Sequence, residues 1–180
     1  MALAPAESMF QALHLVKDRI GVTSARGASA DTDGTSLAEL QRRYASMRAP
    51  LATALAHGPV VLYFFPKSFT SGCTAEAHDF ADHIAAYKAL GATVVGVSGD
   101  SIETQVKFST QECRSKFLVA ADPGLKIAAS YDSKVMGLYA NRTSYVIAQD
   151  GKIAYAYTSL DPDKHVANTL AALRKLKPSS

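Results

Sequence analysis

The sequence predicts an α/β fold, a central mixed sheet flanked by helices, with an atypical helical segment ahead of it. Three observations carry that expectation. Val60 to Phe65 (VVLYFF) and Thr93 to Ser98 (TVVGVS) are continuous runs rich in β-forming residues, the pattern of central strands covered on both faces. Between them Ala77, Phe80, Ala81, Ile84, Tyr87 and Leu90 recur at helical spacing and stop at Gly91. Towards the C-terminus two more β-forming runs are joined by Gln149-Asp150-Gly151, an antiparallel hairpin with Asp-Gly at its turn.

Residues 1–56 form a unit of different texture. Met9, Phe10, Leu13, Val16, Lys17 and Ile20 suggest a short amphipathic helix closed by Gly21, and SARGASADTDGTS reads as a flexible linker. Leu37, Leu40, Tyr44 and Met47 return to helical spacing before Pro50, with a continuation over Leu51 to Leu55 after the break. The main domain is expected over residues 57–180.

There the first strand is bounded by Pro59 and Pro66, and one helix from Cys73, or just before it, to Leu90 leads to the second strand. Two strands flanking a helix make a βαβ unit with parallel strands. A second helix is expected over Ile102 to Lys116, a short strand over Phe117 to Val119 and a helical turn or two over Leu125 to Tyr131. The looser DSKVMGLYANR follows, then the hairpin strands Ser144 to Ala148 and Lys152 to Tyr157. The last helix has a start signal in Asp161 as N-cap and Pro162 at its first position, and a stripe of Val166, Leu170, Leu173 and Leu176. This order, β-α-β, an inserted section, then β-β-α, is that of a thioredoxin-like domain.

Composition excludes several classes of function. A chain of 180 residues with 48% hydrophobic and 19% charged residues reads as one soluble main domain, and no apolar run is long enough to span a bilayer. The formal net charge of +3 is spread along the chain rather than gathered in a stripe, so no nucleic-acid partner is expected. The two cysteines, Cys73 and Cys113, form neither a disulfide framework nor a zinc motif. Lys17, Asp18 and Arg19 interrupt the apolar core that a secretory signal needs, so a cytoplasmic protein is expected. Arg and Ser content leaves an organellar transit peptide as the alternative, with Glu7 and Asp18 against it. The five histidines, at 14, 57, 78, 83 and 165, show no paired ligand spacing and read as structural.

The chemistry centres on PKSFTSGCT, residues 66–74. A thiol of ordinary pKa, about 8.5, is mostly protonated at neutral pH and a poor nucleophile. On composition alone Cys73 reads equally as a small buried hydrophobe. Two features favour a thiolate: the unpaired N–H groups of a helix N-terminus, and Arg142, which lies just before a strand of the same sheet. Pro66 ends the strand, Gly72 permits a close turn, and Thr70, three residues before Cys73, can bring its hydroxyl near the sulfur or serve as a helix cap.

Pro66, Thr70 and Cys73 match P-x-x-x-T-x-x-C in full, and with Arg142 in NRTSYVIAQDG the chain resembles the peroxiredoxins. VVLYFFP, the continuation CTAEAHDF with Glu76, and the DGKI hairpin are most similar to the Q-type or bacterioferritin-comigratory-protein branch, over roughly residues 55–175. The resemblance implies that Cys73 is the nucleophile towards hydrogen peroxide or an organic hydroperoxide, that Thr70 orients the peroxide, that Arg142 stabilises developing charge, and that Pro66 shields the site. It implies no metal or organic cofactor. Glu76 reads as a helix-dipole or hydrogen-bond partner, outside the catalytic set.

Many members of that branch carry a resolving cysteine five residues after the nucleophile; here His78 stands there. Cys113 is the internal candidate, and Glu112, Arg114 and Lys116 around it suggest an exposed helical end able to unwind towards Cys73; a one-cysteine mechanism with an external thiol is the alternative. Thioredoxin or glutaredoxin would recycle the disulfide, and a monomer or weak homodimer is expected. Two competing functions remain at this stage. A thiol–disulfide oxidoreductase would want C-x-x-C, where this chain has Thr70. A non-enzymatic redox-sensing or binding module is the other, because residues 1–50 lack the A-P-D-F-type segment that usually precedes the first strand.

Overall fold

The computed structural model describes residues 51–176, so the helix-and-linker expectation for residues 1–50 lies outside the described residues. Strand β1 (Val60–Phe64) is the middle of a five-stranded sheet of order β3-β2-β1-β6-β7, formed with β2 (Thr93–Ser98), β3 (Leu118–Ala121), β6 (Thr143–Ile147) and β7 (Ile153–Thr158). β1, β2 and β3 run parallel, while β6 is antiparallel to β1 and β7 to β6. The sheet is therefore mixed, as the sequence predicts.

The apolar run of β1 serves two cores at once, because successive side chains leave opposite faces of a strand. Val61, Tyr63 and Phe65 enter one core with Phe80, Tyr87, Phe108, Val166 and Leu170. Val60, Leu62 and Phe64 enter the other with Val97, Ile127, Tyr131 and Ile147. Each such side chain contributes about 1.5–3 kcal/mol on burial. Helix α1 (Leu51–His57) joins the second core through Ala54 and Leu55. β7 alternates half-buried and exposed residues, as a sheet edge with one wet face should.

The helix expected from Cys73 to Leu90 is two helices, α2 (Ser71–Asp82) and α3 (Ile84–Ala89), broken at His83, where ψ is 6°. No glycine or proline marks the break, and the apolar periodicity runs through it because Phe80 and Tyr87 stay in one core. The turn lets the Tyr87 hydroxyl reach Thr169 Oγ1 at 2.7 Å on the last helix. Helix α4 (Ile102–Gln111) starts at Ser101, whose hydroxyl accepts from Thr104 N, and ends before Lys116 because Arg114 and Ser115 take φ of 52° and 53°. Helix α5 (Lys126–Ser130) follows β3, and the segment expected to be loose holds a small hairpin of β4 (Lys134–Val135) and β5 (Tyr139–Ala140). Asp161 caps the chain as expected, accepting from Asp163 N at 3.1 Å, but the first turn, Pro162–Lys164, is 3-10 before α6 (His165–Lys175) begins. None of the described helices is long and apolar enough to cross a membrane.

Candidate active site

Sheet register explains how Cys73 and Arg142 meet. β1 and β6 pair so that Phe64 faces Thr143, which sets Arg142 just beyond the end of β1, where the chain leaves for α2. Phe65 N still donates to Val97 O at 3.1 Å, and half-buried Pro66 then carries the chain out of the sheet. Phe69 turns with φ of 62°, and Ser68 N anchors the loop by donating to Asp100 Oδ2 at 2.7 Å at the end of β2. The Phe69 ring stands edge-on to Phe108 of α4, 5.3 Å between centroids, yet remains 44% exposed.

Thr70 is the N-cap of α2, and its carbonyl accepts from Thr74 N at 2.8 Å. Its hydroxyl caps nothing; it donates to Lys67 O at 2.9 Å and lies on the exposed side of the loop. Cys73 falls in the first turn of α2, 1% exposed. Arg142 Nη2 donates to its sulfur at 3.3 Å.

The rest of the guanidinium is equally committed. Nε donates to Leu160 O at 3.0 Å, and Nη1 donates to Gly72 O at 3.5 Å and to Glu76 Oε2. Burial works against this cation, and the negative charge of Glu76 and of Cys73 more than reverses the effect. A charge that is 5% exposed needs such partners, because desolvation of an unpaired ion costs several kcal/mol.

Two residues in the site carry more than the sequence revealed. Glu76, three residues after Cys73 on the same face of α2, is a hydrogen-bond partner, of Arg142, and is fully buried. Burial, only partly offset by Arg142, pushes its carboxyl up to about 8. His165, the first residue of α6, is also fully buried: Nδ1 lies 2.8 Å from Ser144 Oγ and 3.6 Å from Glu76 Oε1, and Nε2 lies 3.1 Å from Ser159 O. The spacing Cys73, Glu76, Ala77, Phe80 was the available signal for Glu76, since it puts the carboxyl on the apolar stripe. Nothing local marks His165, whose partners come from β6 and from the loop before α6.

Cys113 departs from expectation. It lies beyond the end of α4 and is fully buried, packed in the same core as Cys73 and Tyr63; both thiols are free. Its charged neighbours point outward while its own side chain points inward, so they signalled a turn rather than an exposed thiol. Burial, with Glu112 adding to it, pushes the Cys113 thiol well up. Three links clamp this turn to α2: His78 Nε2 to Glu112 Oε2 at 2.7 Å, Arg114 Nη1 to Asp82 Oδ1 at 2.5 Å, and Lys116 Nζ to Ala81 O at 3.0 Å. Among the described residues no group of three or more His, Cys, Asp and Glu side chains is placed to hold a metal ion.

The sequence and the fold have counterparts among known proteins. Over 122 residues the chain is 36% identical to the chloroplastic peroxiredoxin Q of Sedum lineare, a match that covers 66% of this chain and 65% of that one, so it spans less than two thirds of that relative's length. The solved peroxidoxin BcpB of Mycobacterium tuberculosis superposes with a TM-score of 0.65 at 32% identity, covering 71% of this chain and 85% of that one. A Xanthomonas campestris bacterioferritin comigratory protein, solved in work on its alkyl peroxide reduction, superposes with a TM-score of 0.62 at 26% identity over 70% of this chain and 83% of that one. The AhpC/TSA family model matches residues 39–156, which take in the Cys73 helix and Arg142, and the chain belongs to the AhpC/TSA family.

Proposed function

We propose that this protein is a thiol peroxidase whose nucleophile is Cys73. The observation that carries the reading is the Arg142 guanidinium donating to the Cys73 sulfur at 3.3 Å in the first turn of α2, where the helix dipole adds positive potential. Both direct positive potential at the sulfur, where a nucleophilic thiolate would carry its charge. The thiolate attacks the terminal oxygen of a hydroperoxide; an S–O bond forms, the O–O bond breaks, and its electron pair leaves on the second oxygen, which takes up a proton and departs as water or an alcohol. Cys73 becomes a sulfenic acid. Arg142 stabilises the negative charge passing from sulfur to oxygen. The Thr70 hydroxyl, held at the loop beside the helix start, orients the peroxide, and Pro66 shields the sulfur from the strand side. Exposed apolar side chains on Phe69 and on Leu160, whose carbonyl holds Arg142, favour organic hydroperoxides alongside hydrogen peroxide.

Cys113 resolves the sulfenic acid in this reading: once its turn has opened, the thiol gives up its proton and attacks the Cys73 sulfur, the S–O bond breaks, the hydroxide takes up that proton and leaves as water, and a disulfide forms that a dithiol of the thioredoxin or glutaredoxin type reduces. A disulfide needs its two α-carbons within about 7 Å. The Cys113 turn and the start of α2 must therefore open together, against the three links that clamp them. The two consecutive left-handed residues Arg114 and Ser115 assist, since each such conformation costs about 1–3 kcal/mol that opening releases.

Peroxide consumption by the full chain with thioredoxin and its reductase tests this. A robust rate lost in Cys73→Ser supports the peroxidase; an unmodified chain without a rate favours the redox-sensing module. Full turnover by Cys113→Ser, with no Cys73–Cys113 bridge by mass spectrometry in the oxidised unmodified chain, would assign resolution to an external thiol.

A further inference from the structure

A buried polar chain continues from the sulfur beyond the residues that the proposed reaction uses. Arg142 stands between two acids, with Nη2 facing Cys73 Sγ at 3.3 Å and Nη1 on Glu76 Oε2. If both were ionised, one cation would face two anions in a site shut off from water, an unbalanced buried charge that folded proteins avoid. The second carboxyl oxygen, Glu76 Oε1, is buried, makes no hydrogen bond among the described residues, and lies 3.6 Å from His165 Nδ1. The other ring nitrogen is committed: the Ser159 carbonyl can only accept, so Nε2, 3.1 Å away, carries a hydrogen. Nδ1 is then the atom that can gain or release a proton. Ser144 Oγ, 2.8 Å away, suits either state, donating to the bare nitrogen or accepting from the protonated one.

We infer that Glu76 and His165 hold one proton between them, on Oε1 or Nδ1, and that His165 is thereby a positioning residue for Cys73: the shared proton cancels the charge of Glu76 and leaves Arg142 to the sulfur alone. Thiolate, guanidinium and proton-sharing pair are then neutral together. The proton remains on the pair and is not passed to the peroxide. Burial raises Glu76 to about 8 and lowers His165, so near neutral pH the proton rests mainly on the carboxyl. Every packed element contributes to the field at the pair. Arg142, just before β6, favours ionised Glu76 and opposes a charged His165, while Asp79 on α2 opposes ionised Glu76. Asp161, before α6, favours a charged imidazole, and the Tyr157 ring from β7 covers it edge-on at 4.9 Å. Tyr63 from β1 brings a neutral phenol whose own ionisation is opposed by burial first, and then by Cys113, Glu76 and Cys73.

The inference rests on Cys73 being the reactive thiol, but a thiolate can be measured without any peroxide turnover. The full chain, reduced, is alkylated with iodoacetamide from pH 5 to 9, and modification of Cys73 is followed by peptide mass spectrometry. His165→Leu removes the imidazole that shares the proton, so Glu76 ionises earlier; Cys73 alkylation is expected to slow several-fold at pH 7.5 and to stay unchanged at pH 6, where burial alone keeps the carboxyl protonated. In the Glu76→Gln background, where no carboxylate can form, His165→Leu is expected to change the rate by less than about twofold, the margin within which independent effects add. Equal slowing in both backgrounds would mean that His165 acts by packing alone and would overturn the inference, as would no slowing with Glu76 in place. Should His165→Leu fail to fold, His165→Phe, which keeps a ring but no ring nitrogen, replaces it: slowing at pH 7.5 that vanishes in the Glu76→Gln background supports the shared proton, and equal slowing in both backgrounds overturns it. A folded Cys73 that alkylates no faster below pH 7 than in the urea-unfolded chain would instead defeat the peroxidase reading itself.

Discussion

Raising the pH from 6.5 to 8.5 should destabilise this protein, and Glu76→Gln should remove that loss. In the unfolded chain a glutamate releases its proton near pH 4.5, whereas in the fold burial, outweighing Arg142, holds the Glu76 carboxyl up at about 8. Between those values the folded state binds one more proton than the unfolded state, so stability falls as pH rises; the contribution is complete below 4.5 and gone once pH has passed about 8. Each unit is worth 1.36 kcal/mol, which makes the part lost between pH 6.5 and 8 about 2 kcal/mol. The other buried titrating groups act mainly outside this window. His165, lowered by burial, has the opposite sign and contributes stability that disappears as pH falls below its ordinary 6.5. Cys113, raised by burial, adds its own loss only above the ordinary thiol value of 9.0. Urea unfolding of the reduced chain, followed by circular dichroism at pH 6.5, 7.5 and 8.5, measures the slope. A wild-type midpoint that stays level or rises across the window, or an equal fall in Glu76→Gln, would show that the buried carboxyl is already ionised beside Arg142 and would refute the reasoning.

Arg142→Lys keeps the charge but cannot reach Cys73, Glu76, Gly72 and Leu160 from one planar group; the second-order rate with peroxide should fall by about 10²–10³, as for loss of a preorganised donor, in stopped-flow consumption assays. Tyr63→Phe removes a buried hydroxyl that has no hydrogen-bond partner among the described residues, so thermal unfolding should show unchanged or higher stability, by up to about 1 kcal/mol; a loss of 2 kcal/mol or more would reveal a partner for that hydroxyl. Asp82→Asn with Glu112→Gln frees two of the three links on the Cys113 turn, and after a single addition of peroxide the Cys73–Cys113 disulfide should form several-fold faster by quenched-flow mass spectrometry. An unchanged rate would mean that opening is limited elsewhere.

The parts of the fold that local chemistry dictates were legible: the strand from Val60, both of whose faces are covered, Pro66 at its exit, the Asp-Gly turn, and the cap at Asp161. The Cys73–Arg142 pair was legible too, because the strand order brings the end of β1 beside the start of β6. The break at His83 was hidden because it preserves the apolar stripe and uses no helix-breaking residue. The burial of the Cys113 thiol was hidden for a related reason, since charged neighbours describe the path of a turn and not the direction of the one side chain facing inward. The Glu76–His165 contact was out of reach, because it depends on how α2 and α6 pack together on one face of the sheet, and neither residue type announces burial.

The register that joins Cys73 to Arg142 also sets a time. The two residues are 69 positions apart, and at about 5–20 residues per second a ribosome takes roughly 3 to 14 s to cover that distance. Throughout that interval the nascent chain carries Cys73 without its guanidinium, and Glu76 without the cation it contacts in the fold. The thiol acquires its partner only when β6 docks antiparallel on β1, a step that requires the C-terminal half of the domain to have been made. Assembly of the pair is thus delayed by topology, and an unfinished or truncated chain carries Cys73 without Arg142.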